Sequence, residues 1–234
     1  MVKNKFLEIK NQTDNSADLY FYGDIVSSWL GAWDDTDQYP EAIRDFLKGV
    51  EGKNLNIYIN SGGGSVFAGM AIYNMLKRHQ GFKTVYVDGL AASISSVIAL
   101  AGDRVIVPSN AFLMIHKPWS WSSGNANDFR KLANDLDAIE EGIMNVYAEN
   151  IKEGVDIEVI RQMVQEETWL NGLEAEKYFN IEVTEPNEAV ACVSDYFKNY
   201  QRIPDVFKQH PKNEHKADKT QTQINQLLME LELI

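Results

Sequence analysis

A serine hydroxyl becomes a nucleophile when a base takes its proton and nearby N–H groups receive the negative oxygen formed on the attacked carbonyl. The sequence holds residues suited to each task. Ser93 follows Ala91-Ala92 and leads into a short, largely apolar run, which places it at a strand-to-helix turn. First-turn N–H groups there lack intrahelical partners. The same serine, taken alone, would serve as an ordinary helix N-cap. Gly62-Gly63-Gly64 makes a second turn at which bare backbone can approach a ligand. It lacks the lysine of a phosphate-binding loop and the spacing of a dinucleotide fingerprint, so nucleotide binding is disfavoured. His116 ends the run Met114-Ile115-His116-Lys117-Pro118, and a strand end lets an imidazole lean over a neighbouring turn. A lone histidine equally serves structure, and His79, His210 and His215 stand in polar surroundings. Cys192 sits in an alternating apolar stretch and reads as a buried thiol rather than a nucleophile.

The elements that must position these groups alternate between strand and helix patterns, which predicts an α/β fold. Residues 19–25 and 55–59 read as strands, with an acidic loop and a helix over 41–48 between them. The glycine turn opens a helix that ends near Arg78. A strand over 83–87 leads through Gly89 into a small helix over 93–101. Strands at 104–107 and 112–115 follow, parted by Pro108-Ser109-Asn110. Phe129, Leu132, Leu136, Ile139, Ile143, Tyr147 and Ile151 recur at three- and four-residue steps, so 125–151 is a long amphipathic helix. Further helices are expected at 156–165 and 173–179, the second led by Asn171 with Glu174 three residues on, a capping-box pattern. Past Tyr200 the composition turns polar over 201–222, and 224–234 has an amphipathic helical pattern. This divides the chain into a main domain over 1–198 and a polar linker with a short helix over 199–234.

Composition narrows the function. The chain has 234 residues and 44% apolar content, enough for one sizeable core. A formal charge of −12, from 22 basic and 34 acidic side chains, opposes broad attraction to nucleic acid. One cysteine excludes an internal disulfide and suits a reducing compartment. The N-terminal residues carry Lys3, Lys5 and Glu8, unlike a signal peptide, and the longest apolar stretch is too short to span a bilayer. A soluble cytoplasmic protein without membrane or nucleic-acid partners is the expectation.

Three segments resemble the ClpP family of serine peptidases. Residues 57–66, Ile-Tyr-Ile-Asn-Ser-Gly-Gly-Gly-Ser-Val, are similar to its glycine segment. Gly89-Leu90-Ala91-Ala92-Ser93 is similar to its nucleophile segment, and Met114-Ile115-His116 with Pro118 to its histidine segment. They occur in the family's order, and the serine-to-histidine interval also suits it. The resemblance covers about 19–184. It implies a ClpP/crotonase-type α/β spiral of repeated ββα units with a protruding long helix, a homo-oligomeric ring and a polypeptide substrate. No cofactor or metal is implied. It assigns Ser93 as nucleophile, His116 as base, and the N–H groups of Gly64 and Ile94 as oxyanion donors. Its acidic member falls on Glu167 in Glu166-Glu167-Thr168-Trp169-Leu170, where the family usually has aspartate; Glu166 is the competitor.

Two further departures matter. Gly62 stands where the family commonly has proline, and Lys117 replaces a common glutamine, with a charge expected to lower the pKa of His116. The Glu-Thr-Trp-Leu stretch, the insertion bearing Trp29 and Trp33, and the polar tail resemble the phage head-maturation branch. That branch implies scaffold or capsid protein as substrate and no need for an ATP-driven unfoldase. Three alternatives stay open: a crotonase-like acyl-CoA enzyme, a Ser-Lys peptidase using Lys117, and a catalytically degenerate assembly scaffold.

Overall fold

The computed structural model describes residues 13, 15–32, 36–186 and 194–204. The N-terminal stretch, Trp33, the Trp29 side chain, Cys192, His210, His215 and the helix expected over 224–234 lie outside that description.

The protein adopts the expected α/β class, with strands β1 (Ser16–Phe21), β2 (Asn54–Ser61), β3 (Lys83–Ala92) and β4 (Arg104–Pro108) all parallel to their neighbours. Register follows from side-chain alternation. Leu19, Ile57 and Val85 align across the first three strands and are buried, while Tyr20, Tyr58 and Tyr86 align on the opposite face. The tyrosine rings stack at 4.7 Å and 5.1 Å between centroids. A slip of one residue would move the apolar row out of the core and break this ladder together.

The core face is covered by α1 (Pro40–Gly49), α2 (Val66–Arg78) and α3 (Ile94–Ala99). Each carries an apolar stripe inward, with Ile43 and Phe46 from α1, Ile72 and Leu76 from α2, and Val97 and Ile98 from α3 all buried. Fully burying one such side chain is worth about 1.5–3 kcal/mol. The β-α-β succession through α2 and α3 keeps the strands parallel.

β3 is longer than the residue pattern suggested, and its extra length forks the sheet. Thr84–Tyr86 pair with β4, whereas Leu90, Ala91 and Ala92 pair in parallel with Phe112, Leu113 and Met114 of β5 (Phe112–Ile115). β4 is flanked in turn by β7 (Glu182–Thr184), and β5 by the antiparallel β6 (Thr168–Asn171). Neither β6 nor β7 was expected from the residues; at four and three residues they are too short for an alternation pattern to stand out.

The long helix is α4 (Ala126–Asn150), 25 residues with Asn125 and Asp128 forming a capping box. Its C-terminal half is anchored by buried Ile143, Met144, Val146 and Tyr147, while Phe129 near its start is 49% exposed. α5 (Ile157–Gln165) and the single turn α6 (Gly172–Ala175) follow. The expected helix over 173–179 stops at Ala175, past which the chain turns, Tyr178 and Phe179 N–H both donating to Ala175 O and Phe179 pairing with Ile151 as an isolated bridge. Among the described residues no helix is long and apolar enough to cross a membrane.

The described residues beyond 198 pack on this body rather than leaving it. Phe197 and Tyr200 are buried, and the N–H groups of Gln201 and Arg202 donate to Glu167. The expected start of the linker at 199 therefore differs from the placement of 199–202.

Candidate active site

The sheet fork brings the chemistry together. Parallel pairing of β3 with β5 runs to Ala92 and Met114, and the next N–H, that of Ser93, donates to Met114 O at 2.8 Å. His116, two residues past Met114, therefore stands beside the turn that carries Ser93. His116 Nε2 lies 2.8 Å from Ser93 Oγ. The antiparallel β5–β6 ladder ends on Ile115 opposite Thr168, so the next facing positions are His116 and Glu167. Register alone thus brings three of the sequence-predicted residues to one end of one sheet.

Ser93 is held in an unusual backbone conformation, φ 55° and ψ −127°. A non-glycine residue there costs on the order of 1–3 kcal/mol and persists only where the surroundings impose it. They do so here through three hydrogen bonds: Ser93 N–H to Met114 O, and Ser96 N–H and Ser96 Oγ to Ser93 O at 3.0 Å and 2.6 Å. The sharp turn projects Oγ from the end of β3 instead of burying it as an N-cap, and the Ser93 side chain makes no capping bond.

The glycine turn approaches from the other side. Gly63, at φ 101°, has no room for a side chain: a Cβ would lie 2.8 Å from Ser93 Cβ and 2.7 Å from Ala92 O. Ile25 pairs with Gly64 as an isolated parallel bridge, Ile25 N–H donating to Gly63 O and Ser65 N–H to Ile25 O. In a parallel bridge of this kind the N–H of the facing residue, Gly64, points to the opposite edge. Ile94 is the first residue of α3, so its N–H has no intrahelical acceptor. Ser61 ties the two turns together, its Oγ donating to Gly23 O and accepting from Gly63 N–H and Ser95 Oγ. Gly62, in place of a proline, faces Ser194: a Cβ there would lie 2.2 Å from Ser194 Oγ.

This chain resembles known proteins over its central part. The family model described as Clp protease matches residues 46–182. The chain belongs to the Clp protease family. Relatives named ATP-dependent Clp protease proteolytic subunit are 30% identical in Bacteroides fragilis and 29% in Bacteroides thetaiotaomicron, each over 137 residues and 57% of this chain. The chain covers 65% and 61% of the length of these two relatives. The Clp protease match includes Ser93, His116 and Glu167 and ends before Tyr200.

Two expectations about charged neighbours change. Lys117 Nζ lies 2.9 Å from Glu140 Oε2, a buried carboxylate on α4, so its charge is engaged in an ion pair. The pKa of His116 is indeed lowered, but burial is the cause, and Lys117 makes no contribution; Glu167 acts in the opposite sense. The same ion pair leaves Lys117 badly placed as the base of a Ser-Lys dyad. Glu166 accepts from Gln162 at 3.1 Å and lies 3.9 Å from Arg202, both exposed contacts.

Glu167, with φ 52°, is the second non-glycine residue in the left-handed region. Its carboxylate accepts from Gln201 N–H at 2.8 Å and 2.9 Å, from Arg202 N–H at 2.7 Å, and from the Trp169 indole at 3.4 Å. Among the described residues no hydrogen bond joins it to the imidazole; it acts on His116 through space. Glu167, His116, Gln201 and Arg202, with Lys117, Trp119 and Asn199, border a cleft of ≈ 490 Å³.

Sequence reasoning missed Tyr200. Its hydroxyl donates to Gly62 O, its ring meets His116 edge-on at 5.1 Å and Trp169 at 6.0 Å, and Ser93 is a polar neighbour of the phenol. The only signal was an aromatic-rich turn, Tyr196-Phe197 to Tyr200, before the polar tail.

Proposed function

We propose that this chain is a serine endopeptidase, with Ser93 as nucleophile, His116 as base, and Gly64 and Ile94 N–H as oxyanion donors. The observation that carries the reading is the 2.8 Å contact between Ser93 Oγ and His116 Nε2 at a strained strand-to-helix turn. In this mechanism His116 Nε2 takes the Oγ proton as Oγ bonds to the peptide carbonyl carbon. The C–N bond breaks as the same proton passes to the leaving amine. Water, deprotonated by His116, then cleaves the acyl ester and restores Ser93. Purified chain should cleave unfolded polypeptide without added nucleotide. No cleavage across neutral and mildly alkaline pH together with no fluorophosphonate adduct on Ser93, with folded protein, would overturn the reading. The crotonase-like alternative needs no activated serine, so it predicts no fluorophosphonate adduct.

Glu167 is assigned as the residue that favours the imidazolium in the transition state. Burial holds the pKa of His116 below the ordinary histidine value of 6.5 and Glu167 partly restores it. Neutral imidazole is the working base, so activity should be full at neutral pH and fall only as pH drops below 6.5. Glu167→Gln removes the restoring charge. It should lower turnover by about tens- to a thousand-fold and move the acid limb to still lower pH. A limb that moves upward would contradict the assignment, and a loss in Glu166→Gln instead would transfer it to Glu166.

The natural substrate is assigned as a scaffold or capsid protein cut during phage head maturation, supported by the Glu-Thr-Trp-Leu stretch over 167–170 and the tryptophan-bearing insertion. In that setting assembly delivers the substrate and no unfoldase is required. Co-expression with neighbouring capsid and scaffold proteins should yield defined cut ends by mass spectrometry; intact proteins would refute it. A ring of identical subunits fits the exposed apolar side chains Trp119, Trp121 and Phe129 at the base and start of α4. Light scattering should give a multiple of the chain mass, and a monomer at every concentration would contradict it.

A further inference from the structure

Resting on the serine-peptidase reading, we propose that residues 194–202 form an autoinhibitory strap, in which Tyr200 closes the groove beside Ser93 and the backbone that follows ties down Glu167. The strap is fixed at three points along the site. Ser194 Oγ donates to Asp24 Oδ1 at 2.6 Å and sits against Gly62. The Tyr200 hydroxyl donates to Gly62 O, and the N–H groups of Gln201 and Arg202 hold both oxygens of Glu167.

Two of these points engage groups that catalysis needs. Gly62 O belongs to the glycine turn, an edge of bare backbone that an extended substrate would pair with, and Tyr200 already uses it. Glu167 faces His116 in register yet directs its carboxylate to the strap instead of the ring.

The Tyr200 phenol donates its proton to Gly62 O, with its ring edge against the His116 ring. Lifting the strap opens Gly62 O and frees Glu167 to turn to the ring. The strap also lies beyond residues 46–182, the part that matches the Clp protease family model, so it is a feature of this chain rather than of that model.

The test compares rates of fluorophosphonate labelling at Ser93 in the full chain and two variants, with thermal unfolding as the fold check. Tyr200→Ala removes the plug. Gln201→Pro removes one N–H from Glu167 and keeps the aromatic packing; Tyr200, at φ −90° and ψ 142°, already has the conformation a residue before proline adopts. Both variants should label at least about tenfold faster than the parent, since a closed and an open state are in exchange. If Tyr200→Ala unfolds, Gln201→Pro carries the result. Labelling of the parent at the variants' rate overturns the strap and leaves the peptidase standing. Slower labelling in folded variants also overturns it and makes Tyr200 a positioning residue. No Ser93 adduct in any of the three chains overturns the serine-peptidase reading itself.

Discussion

Ser93→Ala should abolish peptide cleavage, lowering turnover by about 10⁴-fold or more, while leaving the fold and assembly unchanged. The size of the effect follows from the unity of the dyad. With Oγ gone there is no acyl-enzyme, and His116, however well placed, has no proton to take. Stability should hardly change, or rise slightly. The hydroxyl is half-exposed and makes no capping bond, and the backbone bonds that impose the turn, from Ser93 N–H to Met114 O and from Ser96 to Ser93 O, survive the substitution. The φ of 55° would remain as uncomfortable for alanine as for serine. Residual cleavage near the parent rate would reject Ser93 as nucleophile.

Gly64→Ala should be the most damaging single change for stability and should silence the site as well. At φ 145° the backbone occupies a region essentially restricted to glycine. A Cβ would also lie 2.0 Å from Ile25 O and 2.8 Å from Ile25 C, main-chain atoms of a bridge that cannot rotate away. Backbone strain together with loss of the bridge should cost more than about 3 kcal/mol, or roughly 10 °C in Tm for a chain of this size. Whatever protein still folds should lose a further 100-fold or so in turnover, because the Gly64 N–H is displaced from the oxyanion position. Gly142→Ala is the matching control. A Cβ there meets nothing within 4 Å, and alanine within a helix is favoured over glycine by about 1 kcal/mol, so that variant should be slightly more stable. Equal stability of the two variants would show that the glycine turn carries no such constraint.

Much of the fold was legible because periodicity reports burial. The parallel strands and the 25-residue α4 follow from apolar residues repeating at two or at three and four positions, and the core needed those residues inside. Ser93 and His116 were legible as motifs, yet their contact rests on the fork in β3, and the residue pattern ended that strand at Val87. The final residues of β3, Gly89 to Ala92, are small apart from Leu90 and have little side-chain alternation to display. Lys117 was misjudged for a different reason. Its partner Glu140 lies in α4, where a carboxylate reads as solvent-facing; only tertiary packing buries it against the histidine strand. Tyr200 lay at the edge of a polar tail, and nothing local distinguishes an aromatic residue that starts a linker from one that folds back onto a groove. The hydrogen bonds that hold the strap are to a main-chain carbonyl and to the carboxylates of Asp24 and Glu167, far away in sequence, interactions without a sequence signature.

The account rests on His116 making Ser93 nucleophilic, and mass-spectrometric mapping of a fluorophosphonate adduct tests that most directly. The full chain should carry the adduct on Ser93 alone, and His116→Ala should slow its formation by about 100-fold or more. Equal labelling of Ser93 with and without the imidazole, or labelling spread over other serines, would contradict it.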